Sequence, residues 1–343
     1  MNVFKIVKNC IIMNTNINNI NISNTKDIHT KKLLKDPKKF ILRVFSGIIL
    51  FFIAVFLLFN NWSLFVAFVV IIQLLAIYEI TSIFVKKYYV DRFFLFFIAL
   101  YLDILAYLSS LDIITILSNF RFNSDKLIFI FLSIIFIFLV FSVNFIVYLQ
   151  NKLKEDYKKS ETEKDILKFI RENNSIYSYF INSLGVNIII LFYAIIPFSL
   201  VIFISSLKNG FLLMLIVFTN FFNDIFAYFV GKVFGNKRFF EFISPNKTLE
   251  GFVGGLIGGI LGGMLWGYFS NLYSIIGIYQ LIILVFLMSL FAPFGDLFAS
   301  FIKRSFELKE TSNIIPGHGG ILDRFDSFIF SVYIFSFVFF LFF

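Results

Sequence analysis

The run Ile275–Ile302, IIGIYQLIILVFLMSLFAPFGDLFASFI, holds one formally charged residue, Asp296, among its 28 positions. An α-helix rises about 1.5 Å per residue, so a run of this length outspans the roughly 30 Å hydrocarbon core of a bilayer. A carboxylate inside such a run is costly, and marks a functional site by default. The segment that closes the run and follows it, Ser300–Asp326, reads SFIKRSFELKETSNIIPGHGGILDRFD before the chain turns apolar again. Lys303, Arg304 and Lys309 are suited to holding phosphate oxygens, and Asp296, Asp323 and Asp326 suit a hard cation such as Mg²⁺. Pro316-Gly317-His318-Gly319-Gly320 is a tight turn in which backbone N–H groups can approach an anion. Taken singly, a Lys/Arg pair is a cytosolic flank and a Gly-rich turn merely turns. Together, within about 30 residues, they form the parts list of phosphoryl or nucleotidyl transfer.

The rest of the chain sets the context for that segment. Of its 343 residues, 59% are hydrophobic, 21% aromatic and only 15% charged, with 54 phenylalanines. Soluble domains do not carry such a balance. Apolar runs near 20 residues recur throughout, which predicts an all-α polytopic membrane protein of about nine transmembrane helices with cytosolic catalytic loops. The expected spans are 44–59, 62–85, 93–117, 127–149, 180–206, 210–230, 251–272, 275–302 and 321–343. A single cysteine, Cys10, excludes an internal disulfide and a Cys-based metal site. The net charge of +9 fits cytosolic loops and anionic lipid, not nucleic acid.

Four regions follow from these runs: a polar, basic tail at 1–43; N-terminal transmembrane helices at 44–149; a charged cytosolic insert at 150–179; and a C-terminal transmembrane region at 180–343 that carries the candidate chemistry. The tail is Asn-rich and has no Arg before residue 40, so it reads as a cytosolic tail, not a targeting peptide. Basic residues follow the second, fourth, sixth and eighth spans, whereas the loops near 60, 207 and 273 have almost none. By the positive-inside rule the loops at 231–250 and 303–320 therefore share the cytosolic side. Gln73, Glu79, Asp103, Asp112 and Asn144 lie in or beside spans and read as packing or interface residues.

A second polar constellation, Asp224–Glu250, reads DIFAYFVGKVFGNKRFFEFISPNKTLE. Asp224 sits near the cytosolic end of the sixth span and is a candidate metal or nucleotide ligand. Ser244 and Lys247 stand in a turn, Thr248 is placed to cap the next helix, and Glu250 falls in that helix's first turn. A helix N-terminus is apt for phosphate. The seventh span then carries eight glycines, Gly251 to Gly267, three and four residues apart. Such a strip lets another helix come close, bringing the two polar loops together or forming a homodimer interface.

These two segments resemble the signatures of the phosphatidate cytidylyltransferases. The later one fits the pattern Ser-x-hydrophobic-Lys-Arg, then Pro-x-His-Gly-Gly, then hydrophobic-x-Asp-Arg-hydrophobic-Asp, through Ser300, Ile302, Lys303, Arg304, Lys309, Pro316, His318, Gly319, Gly320, Asp323, Arg324 and Asp326. Glu310 departs from it, standing where the family has Asp. The earlier segment fits Asp-x-x-Ala-Tyr and Ser-Pro-x-Lys-Thr-x-Glu-Gly through Asp224, Ala227, Tyr228, Ser244, Pro245, Lys247, Thr248, Glu250 and Gly251. The resemblance covers roughly residues 220–330, with weaker echoes at Arg43–Gly47 and Tyr78-Glu79.

It implies that CTP and phosphatidate react to give CDP-diacylglycerol and pyrophosphate, with Mg²⁺ as cofactor. The catalytic set implied is Asp296, Lys303, Arg304, His318, Asp323 and Asp326, with Asp296 and Asp323 on the metal. Asp224, Ser244, Lys247, Thr248 and Lys309 would bind the nucleotide. Rival readings are a CTP-dependent polyprenol kinase, an ion-coupled transporter using Asp103, Asp224 and Asp296, and a non-catalytic membrane scaffold. The expected location is the endoplasmic reticulum membrane with the site facing the cytosol; a bacterial inner membrane or an organelle membrane is the alternative.

Overall fold

The structure, a computed structural model, describes residues 37–116, 174–238, 244, 247–308, 310–312, 314 and 319–342. Its elements are α1 (Pro37–Asn60), α2 (Trp62–Phe84), α3 (Arg92–Ile116), α4 (Asn174–Ile190), α5 (Ile196–Ser206), α6 (Phe211–Phe234), α7 (Leu249–Phe269), the single turn α8 (Tyr273–Ile276), α9 (Ile278–Ser305) and α10 (Leu322–Phe342). Among the described residues there is no strand, and one isolated antiparallel bridge joins Arg238 to Thr248. The chain divides into two compact units. One is Met1–Phe52 with Pro316–His318, of which the described part is the beginning of α1. The other, Ile53–Ile315 with Gly319–Phe343, holds the remaining elements and the candidate site.

The all-α polytopic class is observed. Six stretches are long and apolar enough to cross a membrane: Trp62–Phe84, Arg92–Ser110, Asn182–Phe234, Leu249–Phe269, Ile278–Ser305 and Leu322–Phe342. The third, at 53 residues, is interrupted rather than continuous. Lys208 and Asn209 adopt left-handed φ of 48° and 53°, and Gly210 follows at 82°, so the chain reverses between α5 and α6. The expected count of nine is not reached among the described residues. The first span appears as the shorter apolar helix Ile49–Asn60, and the fourth, at 127–149, lies outside the described residues. So do most of the tail, through residue 36, and the insert as far as residue 173. Helix α1 begins at Pro37, seven residues before the expected span. Proline has no N–H to lose in a first turn, and its fixed φ is already helical.

The fifth span shows how a proline is absorbed. Pro197 is accommodated at the start of α5, and the residues before it, Leu191–Ile195, form a π-helical turn. Nearby polar side chains tie three helices together. Gln73 of α2 donates to the carbonyl of Ile195 at 3.1 Å, and Ser199 of α5 donates to Asp103 of α3 at 2.6 Å. Gln73 and Asp103 thus hold the bundle together, as expected of them.

The glycine strip of α7 is used within the chain. Its glycines are filled from two sides: Val230, Phe226 and Phe222 of α6 lie over Gly254, Gly258 and Gly262, while Ser289, Val285 and Leu281 of α9 lie over Gly259, Gly263 and Gly267. This close approach positions the site, because α6, α7 and α9 carry its polar residues at one end. Asn223 of α6 donates to the backbone oxygen of Ser289 at 2.7 Å and faces its hydroxyl at 3.0 Å. That carbonyl has lost its helical donor, because Pro293 stands four residues on. Any homodimer would use a different surface from this strip.

Gly258→Ala drives a methyl into Phe226, and is expected to cost about 1–3 kcal/mol. Gly185→Ala in α4, where an added methyl meets nothing within 4 Å, is expected to be neutral or to stabilise by up to about 1 kcal/mol. Thermal midpoints of the two variants in detergent, compared with the parent, check this opposite pair of signs.

Candidate active site

The two polar constellations meet. Helix α6 ends, α7 begins, α9 ends and α10 begins at the same end of the bundle, so Lys247 and Thr248 lie near Asp296, and Thr311 and Gly320 near Asp323. The direct link is an ion pair. Lys247, one residue before the α7 cap, places Nζ 2.6 Å from Asp296 Oδ2 on α9 and 3.2 Å from the carbonyl of Pro293. Lys247 is held there because Thr248 caps α7, its hydroxyl accepting from the N–H of Gly251 at 3.1 Å. Glu250, in the first turn, accepts from the N–H groups of Asn236 and Lys237 and closes the loop on itself. The cap expected at Thr248 is present, so its hydroxyl serves the helix. Ser244 accepts through its carbonyl from the N–H of Lys247 at 3.2 Å and shapes the same turn.

A second ion pair lies deeper. Lys303, in the last turn of α9, is 2.7 Å from Asp323 Oδ1 in the first turn of α10. Asp323 Oδ2 accepts from the N–H of Thr311 at 2.9 Å and of Gly320 at 3.1 Å, and the Thr311 hydroxyl lies 2.9 Å away. These donors surround both oxygens of a side chain that is 8% exposed. Asp323, expected to hold metal, has protein partners on both oxygens and ties Thr311 and Gly320 to the start of α10.

Three carboxylates share the remaining space: Asp224 of α6, Asp296 of α9 and Asp326 of α10 are close enough to repel one another. Lys247 attracts Asp224 as well as Asp296, and Lys303 attracts Asp326 as well as Asp323. Gly295 makes this convergence possible, because a Cβ there would run into the backbone oxygen of Asp326. Among the described residues no three His, Cys, Asp or Glu side chains are already drawn in around a metal-sized point. The donor set of the trio nevertheless fits a hard cation: three carboxylates from three helices, whose mutual repulsion a divalent ion would relieve.

In or beside the elements that carry these carboxylates, Lys237, Arg238, Arg304 and Arg324 are exposed, as are Glu307 and Glu310. Arg304 is within 3.3 Å of the carbonyl of Leu308. His318 and Lys309 lie outside the described residues.

Sequence reasoning missed the site role of one residue, Glu79. It is 1% exposed, near the end of α2, and accepts from the N–H groups of Ile321 at 2.8 Å and Leu322 at 3.3 Å. Glu79 also touches the Thr311 hydroxyl. The available signal was its being the sole charged residue of the second span. Tyr193, in the π-helical turn, is also buried close to this cluster, and its hydroxyl has no hydrogen-bond partner.

Comparison with known proteins agrees with this geometry. The profile of the cytidylyltransferase family matches residues 41–342, and the chain belongs to that family. It is similar to the phosphatidate cytidylyltransferase of Bacillus subtilis (strain 168), 49% identical over 107 residues, 31% of this chain and 39% of that protein. It is also similar to the phosphatidate cytidylyltransferases of Staphylococcus aureus (strain COL), 42% identical over 111 residues, and Staphylococcus haemolyticus (strain JCSC1435), 41% identical over 107 residues. Each of the latter two alignments covers 31% of this chain and 40% of the relative. The matched stretch thus spans about two fifths of these relatives' length.

The two ion pairs differ in depth. Lys247 and Asp296 are 27% and 38% exposed, against 13% and 8% for Lys303 and Asp323. Removing one partner of a buried pair leaves an uncompensated charge, at a cost of about 3–5 kcal/mol, while exposed pairs are worth about 1 kcal/mol or less. Lys303→Met is therefore expected to lower the thermal midpoint well below that of Lys247→Met. Melting both variants side by side without substrate checks the order.

Proposed function

We propose that the chain is a phosphatidate cytidylyltransferase, joining CTP and phosphatidate to give CDP-diacylglycerol and pyrophosphate. The observation that carries this reading is the Lys247–Asp296 pair, which brings two separate polar motifs into one site at the end of an apolar bundle. A lipid phosphate can reach such a site from the bilayer, and a nucleotide from the water. A phosphate oxygen of phosphatidate forms the new bond to the α-phosphorus of CTP. The bond from that phosphorus to the β-phosphate oxygen breaks, and pyrophosphate leaves. No covalent enzyme intermediate is needed, so the protein's work is to bring two anions together and offset their charge.

The charges of the site determine how that is done. Asp224, Asp296, Asp323, Asp326 and Glu79 outnumber Lys247 and Lys303, so the centre alone repels both substrates. Asp296, with Asp224 and Asp326, would hold Mg²⁺; when bound, the ion supplies charge neutralisation of phosphate oxygens. Asp323 joins that set only by giving up Lys303. Lys247, Lys303 and Arg304 are the candidate phosphate contacts, with Lys309 and His318 as the further residues the sequence motif implies. His318 would orient a phosphate or donate a proton. Thr248 and Ser244 contribute by shaping the loop that presents Lys247.

The matched relatives are bacterial, which favours a bacterial inner membrane over the endoplasmic reticulum expected from the polar tail. A homodimer is compatible with the apolar outer face of α7, where Val253, Ile257 and Leu261 are exposed.

The test uses purified protein in mixed micelles with phosphatidate, Mg²⁺, and CTP labelled at the α- or the γ-phosphate. Label from the α-position should enter the lipid, chelation should stop it, and Asp296→Asn should slow it by roughly 10²-fold or more. Transfer of γ-label to an added polyprenol, or no transfer by well-folded protein, would overturn the reading.

A further inference from the structure

We propose that Glu79 is a positioning residue of this site: from α2 it holds the first turn of α10, with Thr311 and Gly320 beside it, in register, so that Asp323 and Asp326 face their partners. The inference rests on the cytidylyltransferase reading above. Three separate features of the structure converge on it.

The hydrogen bonds come first. One carboxylate oxygen of Glu79 accepts from two consecutive backbone N–H groups, Ile321 and Leu322, at 2.8 and 3.3 Å. These are donors that a helix start leaves without an intrahelical partner. Helices usually satisfy them locally with a Ser, Thr, Asp or Asn cap. Here Glu79 comes from 242 positions earlier in the chain. A carboxylate buried in an apolar helix is costly, and a local cap would avoid that cost.

The second feature is steric. Gly320 lies so close to Glu79 that a Cβ there would coincide with Glu79 Oε1 and meet the Thr311 hydroxyl. The preceding residue, Gly319, has φ +82°, so it turns the chain into the place where Gly320 must fit. The pair of glycines before α10 is thus shaped around this carboxylate. The N–H of Gly320, the last residue of the turn expected to approach an anion, serves Asp323, and those of Ile321 and Leu322 serve Glu79.

The third is connectivity. The Thr311 hydroxyl lies between Glu79 and Asp323 and contacts both. Glu79 therefore meets Asp323 through one side chain and the N-terminus of α10 through two N–H groups. Asp323 in turn holds Lys303. Asp326, three residues on and on the same helical face, lies against the Asp296 side of the site. Nothing else on α2 reaches these groups in the described hydrogen bonds, and Glu79 is itself buried. Its action on substrate is through Asp323 and Asp326.

The experiment combines kinetics with backbone exchange on Glu79→Ala and Glu79→Gln. The Gln amide oxygen can still accept from Ile321 and Leu322, whereas Ala offers nothing. In Glu79→Ala, kcat for α-label transfer should fall roughly 10–100-fold, the range of lost supporting contacts around a site. KM for CTP and for phosphatidate should stay within about 3-fold, because no substrate contact is removed. Glu79→Gln should recover most of the loss. Deuterium uptake by peptides covering 319–326 should quicken in the Ala variant and return toward the parent in the Gln variant.

An Ala variant with parental kcat, or a Gln variant no better than Ala, would overturn the proposal. Should Ala fail to fold, Gln decides alone: protected amides with near-parental kcat uphold it, and protected amides with kcat lost overturn it. Parent protein that transfers no label would refute the cytidylyltransferase reading instead, and the exchange arm would still report whether Glu79 holds the helix start.

Discussion

The structure depends on burying carboxylates at the end of an apolar bundle without leaving them uncompensated. An isolated carboxylate there is expensive, and three of them, Asp296, Asp323 and Glu79, are met by a cation, by backbone N–H groups, or by both. Lys247 meets Asp296, Lys303 meets Asp323, and the start of α10 meets Glu79. These pairings determine which helices must end together. Lys247 can reach Asp296 only if α7 begins beside the last turns of α9. Glu79 can reach Ile321 only if α2 ends beside the first turn of α10.

Close packing makes those meetings possible. A bilayer gives no hydrophobic reward for bringing two apolar helices together, so the approach must come from small residues and interhelical hydrogen bonds. Both are present. The glycines of α7 admit α6 on one side and α9 on the other, and Asn223 takes up the carbonyl that Pro293 leaves without a donor. The proline frees the Ser289 carbonyl of α9 for Asn223, the residue before Asp224 in α6, and the resulting bond fixes α6 against α9. The carbonyl of Pro293 then receives Lys247, so the neighbourhood of one proline anchors two of the converging elements.

Much of this was legible in the sequence, for identifiable reasons. Hydrophobic run length is set by bilayer thickness, so most spans could be placed to within a few residues, and loop charge gave the shared side of the two motifs. The cap at Thr248 was readable because capping is local. The break at Lys208–Asn209 was legible as well, since the expected spans 180–206 and 210–230 stop and start on either side of it, although the left-handed φ of Lys208 was not. Nor was the division of labour among the aspartates. Asp323 and Asp326 look alike in LDRFD, and only the fold shows that one is enclosed by Lys303, Thr311 and Gly320 while the other faces Asp296. Glu79 was visible as a lone charge in the second span, but its partners lie more than 230 positions away, beyond any local pattern.

The layout also bears on how two polyanions can share the site. Lys237, Arg238, Arg304 and Arg324, in or beside the elements that carry the site, are exposed, as are Glu307 and Glu310. On the proposed reading the basic groups attract phosphates, while the trio of Asp224, Asp296 and Asp326, without a cation, would turn a bare anion away and accept one that brings a metal's positive charge. The buried Lys303–Asp323 pair keeps its own charge balanced in either case. On the proposed reading, the stable part of the site is the web from Glu79 through Thr311 and Asp323 to Lys303. The responsive part is the more exposed Lys247–Asp296 pair, which can open to admit a cation without leaving a buried charge behind.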